Sequence, residues 1–197
     1  RKAGVLHPAV KTSSDTPFRP RCVDSAIPMA VGSDLRAMLD RLEPEASTHI
    51  SPVERLLLST DGTVTHAVEA LTKASINVHP VTRRKRGETL LRDVYLERED
   101  SRERMVYAHS EVNLEHVEDG VAEELVNGER GIGSMLRNRG AETHRQINSM
   151  AVRTSSDPEL PMFVGTGSHE YLERTYSVYS DDVELMVITE WFPRCKY

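Results

Sequence analysis

Apolar positions recur at helical spacing in the first part of the chain and alternate with polar positions in the rest. Leu35, Met38, Leu39 and Leu42 fall on one face of a helix over 34–42, with Ser33 placed to cap it and Pro44 beyond its end. A second helix begins at Ser51. Pro52 suits its first position, and Glu54 stands three residues after Ser51, the spacing of a capping box. Asp61-Gly62 breaks that helix, and Thr63 or Thr65 caps a third short segment carrying Val64, Val68 and Leu71. From Ile76 the period changes to two. The stretch 76–82 predicts a strand, followed by the basic run Arg83-Arg84-Lys85-Arg86. That run is expected to be a solvated loop, with electrostatic steering of an anionic substrate as the alternative. Segments 89–97 and 104–112 alternate and are joined by a charged turn around Asp100-Ser101, which predicts an antiparallel hairpin. A short acidic helix over 119–126, a glycine-punctuated turn over 128–133 and a helical piece through Leu136 follow. Then come a strand over 143–153, a loop over 155–168, and a hairpin of 172–180 and 183–192 turning at Asp181-Asp182. Helices followed mainly by hairpins predict an α+β domain built on one antiparallel sheet.

Residues 1–32 lack this periodicity. They carry Pro8, Pro17, Pro20, Pro28 and a Thr12-Ser-Ser-Asp15 run, and are expected to form a partly extended arm before a domain spanning 33–197. The chain of 197 residues suffices for one core. Its 38% hydrophobic and 28% charged residues are ordinary for a globular protein. A net charge of −6 without a dominant basic stripe argues against general nucleic-acid binding. No apolar run approaches a membrane span, and Arg1–Val10 has no apolar leader core, so a cytoplasmic location is expected. Cys22 and Cys195 are expected to be reduced thiols; a disulfide tying the arm to the C-terminus is the alternative.

Standard motifs fail. There is no Cys-x-x-Cys, no His-Glu-x-x-His and no Walker A pattern. Gly131-Ile132-Gly133 lacks the third glycine of a dinucleotide fingerprint, and Gly165-Thr-Gly-Ser-His169 lacks the spacing of a nucleophile elbow. The eight histidines show no metal-helix spacing, so no metal site is expected.

The informative signal is charge on apolar strand faces. Leu90, Val94 and Leu96 share a face with Arg92, an arginine that keeps its proton and needs an accepting partner. Leu172, Arg174, Tyr176 and Val178 repeat the arrangement. In the last strand Met186, Ile188 and Phe192 flank Glu190, but Val183, Leu185, Val187 and Trp191 make the other face apolar too. Parity therefore leaves the direction of Glu190 open. A glutamate there implies a partner or a raised pKa. One reading is a buried Arg92–Glu190 salt bridge with no ligand. The other is a pocket in which the arginine holds a carboxylate and the glutamate handles a hydroxyl or a proton.

An ordered set of segments decides between them. Leu56-Leu-Leu-Ser-Thr-Asp-Gly-Thr-Val-Thr65, Leu91-Arg-Asp-Val-Tyr-Leu96 and Met105-Val-Tyr-Ala-His-Ser-Glu111 come first. Gly131-Ile-Gly133, Arg174-Thr-Tyr176 and Leu185-Met-Val-Ile-Thr-Glu-Trp-Phe192 follow. In this the chain resembles the chorismate pyruvate-lyases, in the divergent bacterial and archaeal branch that includes the mycobacterial 4-hydroxybenzoate-forming enzyme. The resemblance implies a six-stranded antiparallel sheet with helices on one side and an internal ligand pocket under helical flaps. It implies cleavage of chorismate to 4-hydroxybenzoate and pyruvate, driven by aromatisation, with no cofactor and no metal. It places the ring-carboxylate arginine at Arg92 and the glutamate facing the ring hydroxyl at Glu190. Backbone N–H contacts fall near Val64 and Ile132. Arg174 is the candidate for the enolpyruvyl carboxylate. The chain departs from the pattern in its long arm, in Ser110 where relatives carry a charge, in Ile132 for leucine, and in the polar stretch Glu142–Asn148 with His144 and Arg145. These departures leave two alternatives: a same-fold enzyme for another carboxylate in specialised metabolism, and a non-catalytic module binding aromatic acids. The latter is the effector domain of regulators whose winged-helix part is not recognisable in residues 1–50.

Overall fold

The computed structural model describes residues 35–127, 131–138, 142–158, 160–161, 164 and 168–194. The expected arm 1–32, the Ser33 cap, Cys22 and Cys195 lie outside these residues. Helices α1 (Leu35–Leu42), α2 (Pro52–Ser59) and α3 (Val64–Thr72) precede strands β1 (Ile76–Arg86), β2 (Thr89–Arg98) and β3 (Arg104–Asn113). Helices α4 (Asp119–Asn127) and α5 (Ile132–Asn138) lead to β4 (His144–Thr154), β5 (Glu170–Ser180) and β6 (Val183–Pro193). The six strands form one antiparallel sheet in the order β1-β2-β3-β6-β5-β4, so two three-stranded meanders join through β3 and β6. No helix among the described residues is long and apolar enough to cross a membrane.

Local chemistry sets these elements. The Ser51 side chain accepts from the Glu54 backbone N–H at 3.2 Å, and the Glu54 carboxylate accepts from the Ser51 N–H at 2.8 Å. This completes the capping box anticipated at the start of α2. Asp181 and Asp182 both take positive φ (48° and 62°), the conformation of a two-residue hairpin whose twist matches its strands. Gly87, at φ 56°, turns β1 into β2.

The basic run is not a loop. Arg83–Arg86 completes β1, which pairs with β2 up to Arg86↔Thr89. An edge strand tolerates such charges, because one side faces solvent and cations discourage pairing with another chain. Pro80 sits beside a register shift in the same strand, where a missing N–H does least harm.

The main core lies between one sheet face and the helices. Leu42, Leu57, Leu58, Val68, Leu125 and Met135 pack against Leu90, Val106, Leu172 and Phe192, all essentially buried. A smaller cluster on the opposite face joins Tyr95, Tyr107, Tyr171 and Trp191 with Leu160 and Val164.

Candidate active site

Strand register carries the candidate residues to one face. Arg92 lies opposite Ser110 of β3, Ser110 opposite Ile188 of β6, and Ile188 opposite Tyr176 of β5. The neighbouring row carries Val94, Ala108, Glu190 and Arg174. Glu190 therefore shares the helix-covered face with Arg92, which resolves its direction. Arg92, Glu190, Tyr176, Ser110 and Arg145 line a cavity with apolar walls that include Val94, Leu96, Val178 and Ile188. Thr63-Val64-Thr65 and Gly131-Ile132-Gly133 line it from the helix side, as a partial roof. A larger groove between α3 and β1 shares Thr63, Thr65, Val78 and Gly131 with this wall.

Both roof segments are helix starts. Val64 and Ile132 are the first residues of α3 and α5. The first N–H groups of a helix have no intrahelical acceptor and carry partial positive charge. Gly133 allows the two ends to meet: a Cβ there would stand 2.9 Å from Thr63 Cγ2. The glycine pair that failed as a nucleotide fingerprint thus marks a close approach of two helices.

Glu190 is 5% exposed. Its Oε2 accepts from Arg174 Nε at 2.8 Å, and its Oε1 accepts from the Tyr176 hydroxyl at 3.1 Å. The partner of Glu190 is thus Arg174 and not Arg92. β3 stands between β2 and β6, whereas β5 pairs with β6 and sets Arg174 directly opposite Glu190. Burial, reinforced by Glu190, raises the pKa of the Tyr176 phenol, which keeps its proton and donates.

Arg174 is fully buried and does not line the cavity. It stands behind Glu190. Its Nη1 donates to the Leu57 and Thr60 carbonyls at the end of α2, each at 2.8 Å. Its guanidinium lies 4.8 Å from the Tyr176 ring centre, within cation–π range. Arg174 therefore fixes the rotamer of Glu190 and fastens α2 to the sheet.

Arg92 is 2% exposed. Burial, then the Arg83 charge directly opposite it on β1, brings its pKa down to about 10, which leaves it cationic at neutral pH. Arg83 is held over α4 by its Nη1 bond to the Val126 carbonyl at 2.8 Å.

Arg145 belongs to the cavity wall and was not among the expected site residues. It lies opposite Val178 at the sheet's far edge. Its Nη1 donates to the Asp61 carbonyl at 2.8 Å, and its Nε is buried without a hydrogen bond. The only signal in the chain was the polar stretch in which it falls.

Such a site suits a small anion with an apolar body. A buried cation, two helix starts and a bridged carboxylate–phenol pair face one apolar chamber. A lyase-designated protein of Methanocaldococcus jannaschii is 28% identical over 144 residues, covering 71% of this chain and 77% of that protein. Among solved structures, PhnF from Mycobacterium smegmatis shares the fold with a TM-score of 0.51 at 14% identity, over 69% of this chain and 65% of that one. This chain thus spans just under two thirds of that PhnF chain. The separate PhnF effector domain gives the same score and identity over 68% of this chain and 90% of its own. The model of the Rv2949c-like chorismate pyruvate-lyases matches residues 58–196, from the end of α2 through the last strand, and the chain belongs to that family.

Proposed function

We propose that the protein cleaves chorismate to 4-hydroxybenzoate and pyruvate. The observation that carries this reading is the placement of Arg92 and the Arg174-bridged Glu190 on one face of one cavity with largely apolar walls. Arg92 binds the ring carboxylate through charge-assisted hydrogen bonds, aided by the backbone N–H groups at Val64 and Ile132. The apolar wall accepts the ring. Glu190 bonds the ring hydroxyl and assists removal of the hydrogen from the carbon that bears it. As that C–H bond breaks, its electron pair enters the ring, the C–O bond to the enolpyruvyl group breaks, and the ring becomes aromatic. The released enolpyruvate takes up one proton to give pyruvate, so the conversion balances without an external oxidant or reductant. The Tyr176 hydroxyl and Arg174 hold the Glu190 carboxylate in place while this happens.

The test is to supply chorismate and follow both products beside Glu190→Gln and Arg92→Ala variants. Equal amounts of 4-hydroxybenzoate and pyruvate, lost in both variants, support the proposal. Absence of both products from folded wild-type protein overturns it and leaves a site for another carboxylate.

A further inference from the structure

Among the described residues lining the cavity, the cations are Arg92 on β2 and Arg145 on β4, four strands apart in the sheet order. The carboxylate between them, Glu190, already accepts from Arg174 and Tyr176. Glu190 and Arg174 are neutral as a pair. Arg145 is tethered differently from Arg174. Its Nη1 is held by the Asp61 carbonyl, a neutral acceptor in the loop before α3, and its buried Nε makes no hydrogen bond. Arg174 likewise has one buried nitrogen without a hydrogen bond, Nη2, but it lies fully buried behind the carboxylate and lines no part of the cavity, with Nε and Nη1 on protein acceptors. A half-buried guanidinium held by a neutral group, with a buried donor to spare, is suited to an arriving anion.

We infer that Arg145 binds the second carboxylate of a dicarboxylate ligand whose first carboxylate is held by Arg92. On the lyase reading, on which the naming of the ligand rests, this is the enolpyruvyl carboxylate of chorismate. The enolpyruvyl-carboxylate role expected of Arg174 passes to Arg145, and Arg174 is a positioning residue for Glu190. Arg145 then distinguishes substrate from product. Chorismate engages both ends of the cavity, whereas 4-hydroxybenzoate has one carboxylate and engages only the Arg92 end. Cleavage therefore frees Arg145 to release pyruvate while the aromatic product is still held.

The experiment compares Arg145→Gln, Arg145→Lys and Arg92→Ala in the full chain. It measures KM for chorismate and, by calorimetry, Kd for 4-hydroxybenzoate. Arg145→Gln should raise the chorismate KM roughly 10- to 100-fold, the loss of a charge-assisted bond. It should leave the 4-hydroxybenzoate Kd within about twofold, which also reports an intact pocket. Arg145→Lys should recover part of the loss, and Arg92→Ala should weaken both ligands. Equal effects of Arg145→Gln on both ligands, or none on either, overturn the inference. If the wild-type chain binds chorismate without consuming it, its Kd replaces KM. An Arg145-dependent preference for chorismate over 4-hydroxybenzoate then upholds the inference while the lyase reading fails. No such preference overturns both.

Discussion

The Glu190–Arg174 pair shows how one buried side chain serves both structure and site. Its two charges are out of water, so removing one partner leaves the other uncompensated, at a cost of about 3–5 kcal/mol. Arg174→Met should lower unfolding free energy by about that much in urea titration. Adding Glu190→Gln to it should restore part of the loss, because the orphaned charge is then gone. Non-additivity in that cycle measures the coupling. Glu190→Gln alone should bind 4-hydroxybenzoate yet lower kcat roughly 10²- to 10⁴-fold, the usual contribution of a positioned acid or base. Arg92→Ala should weaken 4-hydroxybenzoate binding by about 2–5 kcal/mol, since its partner would be a buried anion. Unchanged affinity would remove Arg92 from the site.

Among the elements, α3 and α5 supply the helix side of the cavity wall, and α2 packs beside them on the sheet. The capping box at Ser51 fixes where α2 begins, and Arg174 binds the carbonyls where it ends. Both ends are therefore specified, one locally and one by a strand far along the chain. Replacing Ser51 with alanine should cost about 1 kcal/mol of stability. The α3–α5 contact is more sensitive. Gly133→Ala would force its new methyl against Thr63 Cγ2, and β-branched threonine has little room to turn away. Displacement of the roof should raise the chorismate KM several-fold with little change in thermal midpoint. Thr63→Ser, which deletes the offending methyl, should restore KM when combined with it. A Gly133→Ala variant with unaltered kinetics would show that the roof tolerates movement.

At the scale of the whole molecule, the sheet has two faces of different chemistry. The cavity face is largely apolar, while the opposite face carries a polar network under its aromatic cluster. Arg153 donates twice to Glu173, at 2.9 Å each, and Trp191 Nε1 donates to the same carboxylate at 2.7 Å. His109 Nδ1 lies 2.6 Å from Asp93 Oδ1, and Asp93 also holds the Thr82 hydroxyl. Burial opposes the charge on His109, but Asp93 and Glu111 outweigh it and bring its pKa up to about 9. A group whose folded pKa exceeds its ordinary value of 6.5 stabilises the fold fully below that ordinary value. The contribution is then lost as pH rises through the folded value. Unfolding free energy should therefore fall by roughly 1–3 kcal/mol between about pH 6.5 and 9.5. A His109→Gln variant should show a flatter profile in denaturant titrations across that range. A wild-type slope that survives the substitution would assign it to another group.

What the sequence determined by itself were the features that depend on near neighbours. Helical spacing, the Ser51–Glu54 box, the Asp181-Asp182 turn and the period-two strands are set by contacts a few residues apart. The ordered segments from Leu56 to Phe192 carried the family and therefore the sheet, and with it the expectation that Arg92 and Glu190 face one pocket; both line the same cavity. Parity alone placed Arg92 on an apolar face, but it left Glu190 undecided because both faces of β6 are apolar. Tertiary structure decided that direction through the register of β6 between β3 and β5. It also gave Glu190 to Arg174, turned the basic run into an edge strand, and brought Arg145 from the far edge to the cavity. These outcomes depend on which strands are neighbours and on which side the helices cover. They join residues as far apart as Leu57 and Arg174, and no local pattern encodes such a pairing.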